Sequence, residues 1–318
     1  MPATKRPLVI AHRGASGYLP EHTLPAKALA YGLGADYLEQ DIVASRDNHL
    51  MVIHDIYLEG VSDVADQFPD RAREVGRWYA RDFDLAELKS LRVFERMSED
   101  GNATVYSGRF PYKSGDFRFS TLSEEIELTL GLNKSTGRNV GIYPEIKNPA
   151  WHHQEGVDLA RLLLDTLGTF GYTAKSDAVF VQCFDARELR RVREEMGCKL
   201  RLVQLVAENS WNESDTDYDR IKTADGLADV AQYADGLGPW IEQLYTLAEI
   251  DGHPVSTGYV KQAHEAGLVV HPYTFRADEI GPGFQNYAEM VRWFTETVQI
   301  DGLFTDFTDK TVSALAEM

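Results

Sequence analysis

The stretch LVIAHRGASGYLPEHTLPAKALAYGLGADYLEQDIVASRDNHLMVIHD, residues 8–55, decides the fold of this chain. It opens with an apolar run at 8–11, passes through a helical pattern at 24–34 and returns to an apolar run at 37–42. This order predicts two parallel strands joined by a crossover helix. Another apolar run, at 50–54, follows after a short polar stretch, so we expect it to pair with the second strand as an antiparallel hairpin.

The same alternation of strand and helix continues to the end of the chain. Further strands are predicted at 140–146, 178–182, 200–206, 236–240, 268–273 and 302–305. Helical patterns lie between or after them at 156–170, 186–196, 223–233, 257–266, 287–297 and 309–316. Eight strands favour a closed (β/α)₈ TIM barrel over an open doubly wound sheet.

One long segment departs from this alternation. Residues 56–120 are polar and mixed, with a helix predicted after Asp84. We interpret this segment as an insertion that emerges from the top of the barrel after its second strand. We therefore treat residues 1–318 as a single catalytic barrel domain carrying this insertion. An insertion this long is usually functional.

Composition excludes several classes of partner. The chain has 318 residues, 43% hydrophobic content and a net charge of −18. So acidic a surface repels polyanions, so we expect neither nucleic acid nor stable membrane association. An anionic substrate would need local positive charge, which a bound cation could supply. The two cysteines, Cys183 and Cys198, are expected to be buried free thiols.

Three carboxylates could form a metal site. Glu39 and Asp41 are two apart on a predicted strand and therefore point to the same face. Glu145 ends another strand, and active sites of barrels gather at the carboxyl ends of strands. A hard divalent ion such as Ca²⁺ or Mg²⁺ prefers such oxygen ligands. The alternatives are exposed strand acids for the first two residues and an ordinary salt bridge with Lys147 for Glu145.

Two histidines are candidates for proton transfer. His12 ends the first strand and His54 ends the hairpin strand, and imidazole suits acid–base chemistry near neutral pH. Both could instead be structural residues or metal ligands. Arg13 offers a guanidinium suited to phosphate oxygens, with a surface salt bridge as the alternative. Together with the carboxylates, these are the parts that phosphodiester cleavage needs.

Weaker candidates follow three later strands. They are Gln182, Phe184, Tyr273 and Phe275, with Asp306 after the last strand. We assign the first four to substrate binding, as the floor of a small pocket. The alternative for the aromatic residues is packing in the core.

The motifs taken together resemble the glycerophosphodiester phosphodiesterase family. The matching segments are HRG at 12–14, PEHT at 20–23, EQD at 39–41, HD at 54–55, PEIK at 144–147, QCFD at 182–185 and GLFTD at 302–306. They extend from the first strand to the last, and residues 11–35 are especially similar to the bacterial periplasmic branch. One departure is Cys183, where relatives often carry serine.

The resemblance implies roles for these residues. It implies a TIM barrel in which Glu39, Asp41 and Glu145 hold one divalent cation, for which we favour Ca²⁺ over Mg²⁺. His12 and His54 would be the acid–base pair. Arg13 and Lys147 would contact the phosphate. The substrate would be a small glycerophosphodiester, cleaved to sn-glycerol 3-phosphate and an alcohol through a cyclic phosphate.

Other readings of function and location stay open from sequence alone. The same chemistry could serve a phospholipase or lysophospholipase, and the same fold could serve a non-catalytic phosphodiester-binding protein. Residues 1–6 run into the first strand without a signal-peptide pattern. We expect a periplasmic protein whose leader is absent from this sequence, with a cytoplasmic location as the alternative. A homodimer is kept as one alternative for the oligomeric state.

Overall fold

Eight parallel strands form the barrel in a computed structural model that describes residues 6–98, 100–250 and 252–318. The strands of the main sheet are β1 (Leu8–Ala11), β2 (Tyr37–Ala44), β3 (Leu50–Val52), β6 (Gly141–Ile146), β7 (Phe180–Cys183), β8 (Arg201–Val206), β9 (Gly236–Pro239), β12 (Val269–Val270) and β13 (Gly302–Thr305). Two small hairpins add β4 (Arg92–Val93) with β5 (Phe117–Arg118), and β10 (Tyr245–Leu247) with β11 (Pro254–Ser256).

Helices alternate with the barrel strands. They are α1 (Leu24–Gly32), α2 (Val64–Gln67), α3 (Leu85–Ser90), α4 (Leu122–Thr136), α5 (Pro149–Gln154), α6 (Leu159–Thr169), α7 (Ala186–Glu194), α8 (Tyr218–Ile221), α9 (Ala224–Val230), α10 (Tyr259–Glu265), α11 (Tyr287–Trp293) and α12 (Thr308–Ala316). A π-helical turn at Phe294–Val298 extends α11. Among the described residues, no helix combines the length and apolarity needed to cross a bilayer.

The strand order confirms the predicted barrel. Around the sheet the order is β1, β2, β6, β7, β8, β9 and β12, and β13 pairs with the other edge of β1. Backbone hydrogen bonds complete the ring between β12 and β13, from Asp301 N to Val270 O and from Phe304 N to Pro272 O, both 3.0 Å. The predicted hairpin is also confirmed, because β3 is antiparallel to β2.

The alternation of side chains along the barrel strands explains where the polar residues lie. Alternate residues of the strands point inward, and an apolar cluster fills the lower part: Ile10, Tyr37, Tyr143, Phe180, Val203 and Phe304. The next inward position on each strand is two residues later and lies nearer the carboxyl end. From Tyr37 this position is Glu39, and from Tyr143 it is Glu145. The alternation therefore places a polar layer directly above the apolar layer.

The segment between β3 and α4 is built from short elements around its own apolar residues. Phe83, Leu88 and Phe119 are fully or almost fully buried in one cluster with Met51 of β3. The helix predicted after Asp84 is α3, and its capping box joins Asp84 to Glu87. The cluster fixes this segment on the hairpin side of the barrel mouth.

Some helices differ from expectation. Helix α4 was not predicted, although a capping box of Thr121 and Glu124 begins it and Gly137 ends it in a left-handed conformation with φ of 72°. The helix predicted at 156–170 begins instead at Leu159, because Asp158 caps it.

Cys183 and Cys198 are buried free thiols, as expected.

Candidate active site

A cavity of about 160 Å³ opens at the carboxyl ends of the barrel strands. Ten predicted site residues line it: His12, Arg13, Glu39, Asp41, His54, Glu145, Lys147, Gln182, Phe184 and Tyr273. Six further residues complete the wall: Leu205, Trp211, Glu213, Thr274, Arg276 and Phe304. We call this the barrel-mouth cavity. Segments that are distant in the sequence meet here because strand direction brings their carboxyl ends together.

Three carboxylates share the inner wall. Asp41 and Glu145 are register partners on neighbouring parallel strands, and Glu39 precedes Asp41 by two residues. Their exposed fractions are 1% for Glu39, 1% for Asp41 and 6% for Glu145. Burial and the charge of Asp41 raise the pKa of Glu39 well above its ordinary value. Burial also raises the pKa of Glu145, to about 8, although Lys147 opposes this shift.

Asp41 behaves in the opposite way. Burial would raise its pKa, but Lys147, His54 and His22 hold that pKa well below the ordinary value. One acid of the cluster is therefore ionised while its two neighbours resist ionisation. Such a set needs additional positive charge before all three carboxylates can be anionic together.

Lys147 supplies part of that charge from the end of β6. Its Nζ lies 2.8 Å from Oε1 of Glu145 and 3.8 Å from Oδ1 of Asp41. Burial lowers the pKa of Lys147, but these carboxylates outweigh burial and raise it above the ordinary value. Lys147 is therefore a buried cation held beside these carboxylates in the cavity wall.

Arg13 approaches the same acids from the turn after β1. Its backbone N–H donates to Oε2 of Glu39 at 2.5 Å, and its Nη1 donates to Glu21 at 3.0 Å. The turn requires Gly14, whose φ is +87° and where a Cβ would lie 2.9 Å from the backbone of Ala26. Arg13 Nε is buried without a hydrogen-bond partner among the described residues.

Asp55 holds His54 in place, and Arg96 in turn holds Asp55. Nδ1 of His54 lies 2.6 Å from Oδ1 of Asp55, and Arg96 Nη1 donates to Oδ2 of Asp55 at 2.5 Å. Burial opposes ionisation of Asp55, yet Arg96 and His54 hold its pKa well below the ordinary value. Because an ionised carboxylate accepts from Nδ1–H, Nε2 of neutral His54 keeps its lone pair. Burial, Arg13 and Lys147 lower the pKa of His54 to about 4.

His12 has the same arrangement with a different aspartate. Its Nδ1 lies 2.6 Å from Oδ1 of Asp306, and Arg109 and Arg276 donate to Oδ2 of that carboxylate at 2.7 Å and 3.0 Å. Burial and Arg13 lower the pKa of His12, although Asp306 opposes them. Each candidate histidine is thus one member of a His–Asp–Arg series.

The segment between β3 and α4 contributes an arginine to each series. Arg96 belongs to the His54 series and Arg109 to the His12 series, and their side chains are 19% and 5% exposed. Arg96 also donates to both oxygens of Glu21, at 2.6 Å and 3.0 Å, and Glu21 accepts from Arg13. A continuous set of charged contacts therefore joins His54 to Arg13. Sequence reasoning missed both arginines.

His22 is a further residue that was not predicted to act in the site. Its Nε2 lies 2.7 Å from Oδ2 of Asp41, and it is 2% exposed. Burial and the nearby Lys27 lower its pKa to about 3, so it is neutral. The sequence offered one signal for His22, because the PEHT segment at 20–23 lies directly before the helix predicted from Leu24.

The donor set fits a hard divalent cation. Ligand atoms of His22, Glu39 and Asp41 lie within 4.8 Å of one another, and Glu145 is the register partner of Asp41. Buried carboxylates with raised pKa values are the environment that a cation stabilises. Oxygen-rich ligands and the absence of thiolate from this wall exclude sites built for soft metals. Glu39, Asp41 and Glu145 could therefore hold the cation, with His22 orienting Asp41.

The outer wall combines aromatic rings with one amide. Phe184 and Tyr273 pack edge to face with ring centroids 5.8 Å apart, and Tyr273 OH donates to Val206 O at 2.9 Å. Gln182 is 2% exposed, and its Oε1 has no hydrogen-bond partner among the described residues. Trp211, at the rim, was not predicted. This wall offers apolar faces and one free acceptor to a small polyol.

Phe275 is placed differently from the prediction. It is fully buried in the core between barrel and helices, and its ring packs against Phe294 at 5.1 Å between centroids. Its backbone N–H donates to Phe304 O, which closes the barrel. Phe275 therefore supports the barrel wall, and the assignment to substrate contact is corrected.

Comparison with known proteins places the whole chain in one group. The sequence profile of the Glycerophosphoryl diester phosphodiesterase family matches residues 12–310. A Haemophilus influenzae protein named glycerophosphodiester phosphodiesterase is 43% identical over 325 residues, which cover 97% of this chain and 89% of the relative. The range matched by the family profile therefore spans the positions of both histidine series and of all three carboxylates.

Solved structures agree on the fold. A structure from Silicibacter pomeroyi has a TM-score of 0.73 and 22% identity, covering 98% of this chain and 94% of that one. An Oleispira antarctica phosphodiesterase, solved in complex with the product sn-glycerol-3-phosphate, has a TM-score of 0.63 and 20% identity, with coverage of 98% and 97%. At sequence identities this low, the structural similarity shows only that the chain shares the barrel fold.

Proposed function

The chain belongs to the glycerophosphoryl diester phosphodiesterase family, and we propose that its barrel-mouth cavity carries out the hydrolysis with a bound divalent cation and two histidines. The reaction converts a glycerophosphodiester to sn-glycerol 3-phosphate and an alcohol. One observation carries the assignment of residues. Two histidines, each fixed through Nδ1 by an ionised aspartate, line one cavity that also holds three carboxylates.

The carboxylates Glu39, Asp41 and Glu145 would hold the cation. When bound, a divalent cation supplies a Lewis acid for a phosphoryl oxygen and lowers the pKa of a coordinated hydroxyl. We favour Ca²⁺ over Mg²⁺, because Ca²⁺ accepts irregular oxygen ligands whereas Mg²⁺ demands near-ideal octahedral geometry. The three carboxylates lie on two neighbouring strands of one cavity wall. This placement supports an irregular arrangement of ligand oxygens around the cation.

The histidines would transfer the protons. One histidine removes the proton from the glycerol 2-hydroxyl as that oxygen attacks phosphorus. The other histidine protonates the oxygen of the departing alcohol, so the products of this step are a cyclic phosphate and the alcohol. Water then opens the cyclic phosphate with the two roles reversed. The aspartates keep each Nε2 available for this exchange.

Arg13 and Lys147 would stabilise the phosphoryl group. Arg13 Nε is a buried donor that makes no hydrogen bond among the described residues, although it lies 3.7 Å from Oδ2 of Asp41, and Lys147 is a buried ammonium on the same wall. Cations fixed where charge develops stabilise a transition state without reorganisation. Gln182 Oε1 would accept a hydrogen bond from a glycerol hydroxyl, while Phe184 and Tyr273 flank the carbon chain.

The direct test is product formation by the purified protein. Glycerophosphocholine and Ca²⁺ should give sn-glycerol 3-phosphate and choline in equal amounts. Binding of the substrate without release of either product would favour the non-catalytic phosphodiester-binding protein.

A lipid phosphodiesterase is the second candidate. Trp211 at the cavity rim is 41% exposed and Val105 is 46% exposed, and such rings and branched chains could meet acyl chains. The walls around the histidines are nevertheless dominated by charged groups, so we favour a water-soluble substrate. A higher kcat/KM for lysophosphatidylcholine than for glycerophosphocholine would reverse this preference.

Location and assembly are also proposals. The resemblance to the periplasmic branch supports a periplasmic protein, and cell fractionation tests it against the cytoplasmic alternative. A homodimer is tested by light scattering of the purified chain.

A further inference from the structure

A second cavity of about 170 Å³ lies between the barrel and the segment 53–121. We call it the insertion-side cavity. Its lining includes Glu21, Glu95, Arg96, Arg109 and Asp306. It shares His12, Arg13, His54 and Arg276 with the barrel-mouth cavity, but it contains none of the three candidate metal carboxylates. The two histidines therefore border both cavities.

Most charged groups in this wall are already paired. Arg96 contacts Glu21 and Asp55, and Arg109 contacts Asp306 at 2.7 Å. These pairs hold the wall in place and satisfy its charges. The paired side chains at these positions therefore have little need of a bound ligand, whether anionic or cationic.

Glu95 differs from these paired residues. It is 4% exposed, it lines the insertion-side cavity, and its Oε2 has no hydrogen-bond partner among the described residues. Burial and the charge of Glu21 raise its pKa to about 8, although Arg109 opposes them. A buried acceptor without a partner is costly, and it is satisfied when a donor enters the cavity.

The two cavities match the two halves of a phosphodiester. Phosphorus carries the glycerol on one side and the second alcohol on the other. If the glycerol lies beside Gln182 and the aromatic wall, the second alcohol extends past the histidines into the insertion-side cavity. A volume of about 170 Å³ has room for a small headgroup, since a water molecule occupies about 30 Å³ in the liquid.

We propose that the insertion-side cavity binds the leaving alcohol and that Glu95 selects alcohols bearing a protonated amine, of which ethanolamine is the simplest. The inference rests on the proposed function and adds to it the chemistry of the second alcohol. An ammonium N–H donates to Glu95 Oε2 and brings the positive charge that favours an ionised carboxylate. The net charge of −18 further favours cationic over anionic headgroups.

The test compares two substrates that differ in the leaving alcohol. The kcat/KM for glycerophosphoethanolamine is divided by that for glycerophosphoglycerol, in the native protein and in Glu95→Gln. We expect the ratio to fall about tenfold in the variant, the size of one charge-assisted hydrogen bond. The control is Glu74→Gln, an exposed acid of the same segment, which should leave the ratio unchanged. A ratio that stays within twofold in Glu95→Gln would overturn the proposal.

Inhibition by the free alcohols provides a second measurement. Ethanolamine should inhibit glycerophosphoglycerol hydrolysis about tenfold less strongly in Glu95→Gln than in the native protein, whereas inhibition by glycerol should change far less. Equal weakening for both alcohols would show a general structural effect and reject the selective role. Failure of the native protein to hydrolyse either substrate would reject the proposed function itself.

Discussion

Arg96 Nη1 lies 2.5 Å from Oδ2 of Asp55, while the other oxygen of that carboxylate lies 2.6 Å from Nδ1 of His54. Arg96 comes from well within the segment that follows the hairpin, whereas His54 lies two residues after the hairpin strand β3. The segment outside the barrel thus fixes the orientation of a candidate catalytic histidine. It does so a second time through Arg109 and Asp306 on the His12 side.

Arg96→Gln tests whether this contact matters for turnover. Removal of the guanidinium should raise the pKa of Asp55 and loosen His54, so kcat should fall at least about tenfold, since truncating a buried charged pair costs about 2–5 kcal/mol. Because Asp55 then protonates at higher pH, the acidic limb of the pH–rate profile should move upward. Arg96→Lys should recover part of the rate.

The matched control is Arg118→Gln in the same segment. Arg118 pairs with Asp116, and its side chain is 40% exposed. It should leave both kcat and the acidic limb where they are. An Arg96→Gln variant with a native pH profile would refute the positioning role.

The two histidines should be individually indispensable. His12→Ala and His54→Ala should each lower kcat by about 10²–10⁴-fold, the range for acid–base groups. His49→Ala is the control, because His49 is 51% exposed and lies outside both cavities. Near-full turnover by His54→Ala, measured by release of sn-glycerol 3-phosphate, would contradict the assignment.

Asp41→Asn should abolish stabilisation by the cation. Ligands that bind the folded state raise thermal stability by mass action, so Ca²⁺ should raise the Tm of the native protein. The variant loses the carboxylate at the centre of the cluster and should show no rise. Asp116→Asn, whose side chain is 71% exposed, should keep the native response. A calcium-dependent Tm in Asp41→Asn would place the cation elsewhere.

Glu95 makes stability depend on pH in a predictable direction. Its ordinary pKa is 4.5 and burial raises it to about 8 in the fold, so the unfolded chain releases this proton first as pH rises. The contribution of Glu95 to stability is therefore greatest below pH 4.5 and declines as pH rises to about 8. Relative to the native protein, Glu95→Gln should gain stability across this window in denaturant unfolding. If the difference in unfolding free energy between Glu95→Gln and the native protein stays constant with pH, the pKa of Glu95 is not raised in the fold.

Sequence predicted the barrel well because its strands are continuous apolar runs. The period of two residues along a strand also predicted that Glu39 and Asp41 share a face, since it depends on backbone geometry alone, and the position of Glu145 at a strand end predicted that it joins them. The same rule failed at Phe275, which follows the short strand β12 and packs outward against Phe294. Beyond the end of a strand, strict alternation no longer determines the direction of a side chain.

Other features could not be predicted from local patterns. Helix α4 buries Glu125 and Thr129 beside Leu122 and Ile126, so half of its inner face is polar and its apolar periodicity is weak. Arg96 lies in a polar segment whose placement over the barrel depends on tertiary packing. Charged residues buried by such packing look like surface residues in the sequence.

The central claim is that buried carboxylates bind a divalent cation that the hydrolysis requires. The most direct measurement is release of sn-glycerol 3-phosphate from glycerophosphocholine by protein treated with EDTA and dialysed, before and after Ca²⁺ is added. We predict that turnover is lost on chelation and returns with Ca²⁺. Full turnover by rigorously demetallated protein would contradict the account.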